Sequence, residues 1–457
     1  MLTKAIRYVI SLKKRFLSEG SFGHNLAITF SGNVLAQMIG FAFTPFIARI
    51  YGPEAYGVFA LFIAVINNIS PLSTLQFPSG YVAAENDKEF VRLLQITLLV
   101  LLMGTLFVFG GIYIFKYELM SAFTLTELSA YLIWIPIYYF LMGIDNILLG
   151  WNIRLKEFKR GAVAKIFSTS LSKGVAILYG VLAEPAALGI IIGNLLSYPF
   201  ESIVKFGPTI KRKITQIFKD INWLELKSTF LKYKTYPTYL TTGIVVSNLS
   251  NQLPIYFLSI WFDQGIVGLF ALANSMVNLP LSLIINSSTT VFLQKAAETI
   301  QNSGEKLKSL VVSLYQKLLL LSFVPLVVLA LTSEWLFRLI FGTEWEQSGV
   351  FASILCMGAI FTVPGSPLSV LFRLMNKEWV VFITNIFFVG IKFFGLWIGL
   401  YYGSIKFSVI GFSLATFLTN LVTLFIIFRM VKISALILFR DAVIVGAVMA
   451  LIFFLNI

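Results

Sequence analysis

From Ile96 to Phe115 the chain reads ITLLVLLMGTLFVFGGIYIF, twenty residues without one charge. As a helix rising about 1.5 Å per residue, this run spans roughly 30 Å, the thickness of a bilayer's hydrocarbon core. A membrane strand would alternate lipid-facing and lumen-facing residues, and no alternation is present. Similar runs recur along all 457 residues, of which 58% are hydrophobic and 12% charged, against about 25% charged in soluble domains. A mean hydropathy of +0.87 over the whole length excludes a soluble enzyme with a single anchor. The reading is an all-α polytopic membrane protein.

Apolar runs predict helices over 25–48, 55–78, 93–115, 128–150, 166–183, 186–204, 237–261, 267–293, 313–333, 350–372, 379–402 and 405–428, with a shorter thirteenth over 441–456. The basic segment 1–24 carries Lys4, Arg7, Lys13, Lys14 and Arg15, lacks a cleavage pattern and is expected to stay cytoplasmic. Of the 35 lysines and arginines, Arg49, Lys116, Arg338 and Lys406 fall on the opposite side and Lys173 and Lys392 fall inside helices, which leaves 29 on the amino-terminal side. By the positive-inside rule the amino terminus is cytoplasmic. The net charge of +14 therefore reports topology and contact with membrane lipids, and no nucleic-acid partner is expected. The side on which the carboxy terminus lies stays open.

The longest inside connection, 205–236, holds Lys205, Lys211, Arg212, Lys213, Lys219, Lys227, Lys232 and Lys234. It separates a first lobe (25–204) from a second (237–428), followed by a segment 429–457. YGPEAYGVFAL at 51–61 aligns with FDQGIVGLFAL at 262–272, an offset of 211 that matches Gly57 with Gly268, Phe59 with Phe270, Ala60 with Ala271 and Leu61 with Leu272; further along, Asn67 meets Asn278. An even number of helices separates the matched turns, so the lobes share one orientation about an axis along the membrane normal. The fold expected is two pseudo-symmetric six-helix lobes around a central cavity.

Amides concentrate in the first two helices of each lobe: Asn33, Gln37 and Asn67 in one, Asn248, Asn251, Gln252, Asn274 and Asn278 in the other. Each alone reads as an interhelical hydrogen bond worth about 0.6 kcal/mol; together they read as the lining of a hydrated cavity. Pro45, Pro71, Pro254 and Pro280 interrupt the same helices and free backbone carbonyls.

The stretch PFIARIYGPEAYGVFAL, 45–61, resembles the opening signature of the polysaccharide transporter branch of the multidrug/oligosaccharidyl-lipid/polysaccharide exporter superfamily, the branch that contains the Wzx-type O-antigen flippases. The resemblance implies a V-shaped pair of six-helix lobes that moves an undecaprenyl-diphosphate-linked oligosaccharide, such as an O-antigen unit for lipopolysaccharide, from the cytoplasmic to the periplasmic leaflet. It further implies a multi-pass protein of the bacterial inner membrane, with the lipid-linked oligosaccharide, membrane lipids and other polysaccharide assembly proteins as partners. Family members commonly have twelve or fourteen helices, and a thirteenth departs from both.

An anionic, hydroxyl-rich head needs a polar, cationic path. Lys173 and Lys392 lie near the centres of the fifth helix of each lobe, where a lysine costs about 2.5–3.5 kcal/mol on insertion scales. For Lys173 two readings stand, an ion pair with Asp145 or contact with the diphosphate; Lys392 has no acidic neighbour in sequence and is the stronger phosphate candidate. Arg49 at the outer end of the first helix either meets the head group on release or snorkels to the interface. Asp145 and Glu201, carboxylates within helices, either belong to ion pairs with basic residues or couple transport to a proton or cation. No ATP-binding Gly-x-x-x-x-Gly-Lys-Ser/Thr motif occurs, so transport draws on an ion gradient, the membrane potential or the substrate gradient, and the protein is not read as an enzyme. With Cys356 the single cysteine, no metal cluster and no cofactor are expected. The alternative is an organic-cation or multidrug exporter of the same superfamily.

Overall fold

The computed structural model describes residues 22–115, 130–217, 221–300 and 304–455. Of the basic segment expected over 1–24, residues 1–21 lie outside the described residues. All regular structure among them is helical: α1 Phe22–Thr74, α2 Asp87–Ile114, α3 Trp134–Arg154, α4 Phe158–Leu182, α5 Ala187–Lys205, α6 Pro208–Ile217, α7 Trp223–Lys232, α8 Thr242–Trp261, α9 Gln264–Ile300, α10 Gly304–Phe341, α11 Glu346–Ala359, α12 Thr362–Leu368, α13 Val370–Leu374, α14 Glu378–Tyr401, α15 Ile405–Met430 and α16 Leu436–Leu455.

Helices stand at each of the thirteen expected positions, with the first two fused into α1. Gly52, at φ +68°, breaks α1 where the turn was expected, and glycine tolerates that left-handed backbone without a Cβ clash. Seven helices are long and apolar enough to cross a membrane, and Thr343–Ala359 with Thr362–Leu374, bent by 43°, make an eighth if read as one span. The expected spans at α3, α4 and α8 fall outside that measure because charged or amide residues interrupt them, Asp145, Lys173 and Asn251 among others.

The chain divides into two compact units, one of 1–50 with 65–245 and one of 51–64 with 246–457. In the first, small residues let helices approach closely. Ala164, Ser168, Ser172 and Ala176 recur every fourth residue on the buried face of α4, and a Cβ at Gly193 of α5 would press on the Ser172 carbonyl and Ala176. This is the small-residue packing of membrane helices. Within the 205–236 stretch, read from sequence as the connection between lobes, α6 and α7 are docked on α2 in this unit. Gln95 Nε2 donates to the Ile217 carbonyl at 2.7 Å, Arg92 and Lys88 hold Glu225 at 2.9 and 3.0 Å, and Lys232 bridges Glu89 and Glu85 at 2.6 and 2.9 Å. Arg154 closes the same end by donating to the carbonyls of Tyr81 and Ala84 at 2.6 and 3.0 Å.

In the second unit α14 and α15 pack through glycine, a Cβ at Gly395 running into the Gly411 carbonyl and one at Gly411 into that of Gly395. The turn 51–64 belongs to this unit, and here the sequence offset of 211 becomes a contact. A Cβ at Gly57 would collide with the Gln264 carbonyl oxygen, and a Cβ at Gly268 with the Pro53 carbonyl oxygen. Pro53 and Gln264 are themselves 211 apart, so the contact is reciprocal, as a twofold relation between two copies of one motif requires.

Candidate functional site

A cavity of about 590 Å3 lies within the second unit, walled by α8, α9, α11, α12, α13, α14 and α15. Four of the wall helices carry polar side chains toward the cavity, many of them three, four or seven residues apart, a spacing that keeps them on one face: Ser247, Ser250 and Asn251 on α8, Asn274 and Asn278 on α9, Thr384, Asn385 and Lys392 on α14, and Ser413, Thr416, Asn420 and Thr423 on α15. Ser413 also fixes the wall, because its Oγ donates to the Ile354 carbonyl at 2.6 Å and accepts from the Gly358 N–H at 3.0 Å.

Lys392 is the one cation in this lining, and the lining holds no carboxylate. Its side chain is 8% exposed. Nζ donates to Ser250 Oγ at 3.2 Å and stands 5.8 Å from the centre of the Phe412 ring, a distance at which the ring face attracts a cation. Among the described residues no acidic side chain pairs with it. An ammonium has three protons to give, so the arrangement leaves donors directed at an anion entering the cavity.

Five residues singled out from sequence come together here: Asn251, Gln252, Asn274, Asn278 and Lys392. Asn278 Nδ2 donates to Asn274 Oδ1 at 2.8 Å and to the Asn274 carbonyl at 2.9 Å. Asn248 is on α8 outside the wall. Asn33, Gln37, Asn67 and Lys173 belong to the first unit, as does Arg49, which is exposed. Sequence reasoning missed Ser366, Asn385, Thr416 and Asn420. Their spacing was a usable signal, but a helical Ser or Thr so often bonds its own backbone that a stripe of them does not announce a cavity.

The expected pair of Asp145 with Lys173 does not form. Lys205 Nζ takes both Asp145 oxygens, at 2.8 and 2.9 Å, and Glu201 Oε1 at 2.7 Å. Lys165 reaches the other Glu201 oxygen at 3.4 Å, and Ser168 Oγ donates to it at 3.2 Å. Lys205 is 1% exposed and sits one turn beyond Glu201 on α5. Reading it as the first residue of a solvated connection hid the partner. Lys173, half-buried on α4, has neither ion pair nor hydrogen bond among the described residues.

A family model described as "Polysaccharide biosynthesis protein" matches residues 46–350. Among solved structures the chain is similar to the lipid II flippase MurJ in an inward closed conformation, at 15% identity over 93% of this chain and 99% of that one, with a TM-score of 0.67. It is similar to an inward-facing multidrug resistance MATE family transporter of the MOP superfamily, at 15% identity over 87% and 94%, TM-score 0.66. A Vibrio cholerae MATE transporter follows at 13% identity over 92% and 97%, TM-score 0.58. Identities this low establish the shared fold alone. No curated protein matches the sequence significantly.

Proposed function

This multi-pass membrane chain belongs to the polysaccharide biosynthesis protein family, and from that membership we propose that it is a flippase for an undecaprenyl-diphosphate-linked oligosaccharide, an O-antigen or similar surface-polysaccharide unit, moved from the cytoplasmic to the periplasmic leaflet of the bacterial inner membrane. The observation that carries the reading is Lys392, a buried cation without an acidic partner in a cavity of hydroxyls and amides. An anionic sugar-phosphate head finds there both a counter-charge and hydrogen bonds, while its polyprenyl tail stays in lipid. At an effective dielectric near 20 a unit-charge pair at 4 Å is worth about 4 kcal/mol before desolvation. Lysine suits a transient stop, because a flexible point charge follows a substrate that must also leave.

Lys173 and Arg49 are proposed as further cationic stations on the path, with Asn33, Gln37, Asn67 and Asn248 as polar lining along it. Asp145 and Glu201 are proposed to hold helices together through Lys205 rather than to bind a coupling ion. Movement is proposed to follow alternating access by rocking of the two lobes, the behaviour of duplicated transporters. The amino terminus and the 205–236 stretch face the cytoplasm, and the 333–349 loop faces the periplasm. Polysaccharide assembly proteins are the proposed protein partners. The solved MATE structures keep the organic-cation exporter as the second reading, against which stands a cavity lining without a carboxylate.

Reconstituted vesicles decide between them. Translocation of a fluorescent lipid-diphosphate saccharide, with no uptake of ethidium, is the expected result. Ethidium transport with no movement of the lipid would overturn the proposal.

A further inference from the structure

The cavity contains many hydroxyls, but most of their protons are already spent. Thr416 donates to the Phe412 carbonyl at 2.9 Å, Thr419 to that of Thr416 at 3.0 Å and Thr423 to that of Thr419 at 2.9 Å. Thr384 on α14 does the same toward Val380 at 2.8 Å. Asn420 gives its amide protons to Thr362 Oγ1 and the Thr416 carbonyl, both at 2.9 Å. These groups keep only lone pairs to offer the cavity, since a hydroxyl has one proton and an amide oxygen has none.

An inward surface of lone pairs has a chemical preference. It welcomes ligands with O–H or N–H donors and repels groups that only accept, such as carboxylates. Beyond Lys392, the exceptions are Ser247, Ser250, Ser366 and Asn274, whose side-chain protons are not taken within the described protein, and Asn251, Gln252 and Asn385, which line the cavity and make no side-chain hydrogen bond there; these last three amides can both give and accept. One cation neutralises one charge, and nothing else in the lining carries a positive charge for a second. The volume of about 590 Å3 lies within the roughly 300–1,000 Å3 of sites that hold one small ligand, so a short stretch of a saccharide fills it.

Resting on the flippase reading, we infer that this cavity is a saccharide subsite selective for an uncharged sugar, bound through its hydroxyl protons and through Asn251, Gln252 and Asn385, next to a single phosphate charge on Lys392. A uronic acid at the same position brings a second negative charge, for which the lining holds no cation beyond Lys392, and is rejected. Discrimination of this kind is strong because a mismatched polar group is left buried and unpaired.

The test uses the full chain and three probes: undecaprenyl diphosphate without sugar, neutral N-acetylglucosaminyl- and glucosyl-diphosphoundecaprenols, and a glucuronosyl-diphosphoundecaprenol. The expected result is that at least one neutral sugar improves affinity over the sugarless lipid by about tenfold or more, a few hydrogen bonds' worth, while the uronate gives no improvement. Asn385→Ala and Asn251→Ala should remove most of that gain. Asn385→Lys, which adds a cation, should transfer the gain to the uronate, and this gain of binding separates selectivity from misfolding. Uronate binding equal to that of the neutral sugars in the unaltered protein would overturn the inference and leave the flippase reading standing. Failure of all the lipids to bind would remove both.

Discussion

Lys205, Lys173 and Lys392 are three lysines within helices of the same protein, and their surroundings give them different work. Lys205 is enclosed by Asp145 and Glu201, so its removal strands buried Asp145 without a cation and leaves Glu201 only the longer contact to Lys165. Breaking a buried pair costs about 3–5 kcal/mol; Lys205→Met should therefore lower the melting temperature in detergent and the abundance in membranes. Adding Asp145→Asn and Glu201→Gln should recover most of the loss, and an unchanged melting curve for Lys205→Met would show that the cluster does not hold the helices. Lys392→Ala strands no partner. It should reduce lipid translocation severalfold while leaving abundance near normal, and Lys392→Arg should keep part of the activity. Unimpaired transport by Lys392→Ala, measured in vesicles, removes the central claim about the cavity. Lys173→Ala likewise strands nothing and should leave abundance unaltered. The sequence exposed the two lysines near helix centres but not the third, because a lysine at a helix end looks solvated until the neighbouring helix is in place.

Among the elements, the turn 51–64 and the start of α9 meet where the duplicated motif meets itself. Gly57→Val should lower thermal stability by about 1–3 kcal/mol, the scale of overpacking, and Gly268→Val by a similar amount, since each Cβ strikes the other copy's carbonyl. Gly161, with open space around its Cβ position on α4, is the control: Gly161→Ala should be neutral or mildly stabilising in the same thermal assay. The docked pair α6 and α7 responds to charge instead. Hydrogen bonds from Lys88 and Arg92 hold the Glu225 carboxyl below the usual carboxylate range. A depressed folded-state value means the docking is fully supported above the ordinary pKa of about 4.3 and weakens as pH falls through the lowered value. Spin labels on α2 and α7 should separate in that acid range, and Glu225→Gln should produce faster amide exchange over 223–232 at neutral pH. No change in either measurement would mean that the ion pairs are incidental to the docking.

For the whole molecule, the asymmetry of lysine and arginine makes a prediction about sidedness. In a Cys356→Ser background, Glu344→Cys should react with an impermeant thiol reagent in intact cells, and Lys227→Cys only after the membrane is opened. The opposite pattern would invert the proposed orientation. Hydropathy, charge asymmetry and the 211-residue offset were legible in the sequence because each is a sum or a repeat along the chain. Transfer of a twenty-residue run into lipid depends on its own composition, and matched turns keep their match wherever the lobes go. The partner of Asp145, the docking of 205–236 on α2 and the gathering of seven helices around Lys392 were decided only by tertiary structure. These depend on the rotation of each helix about its axis, set by glycine and small-residue contacts between segments far apart in sequence. In lipid no difference in hydrophobicity orients a helix, so close packing and the satisfaction of buried charge choose the inward face.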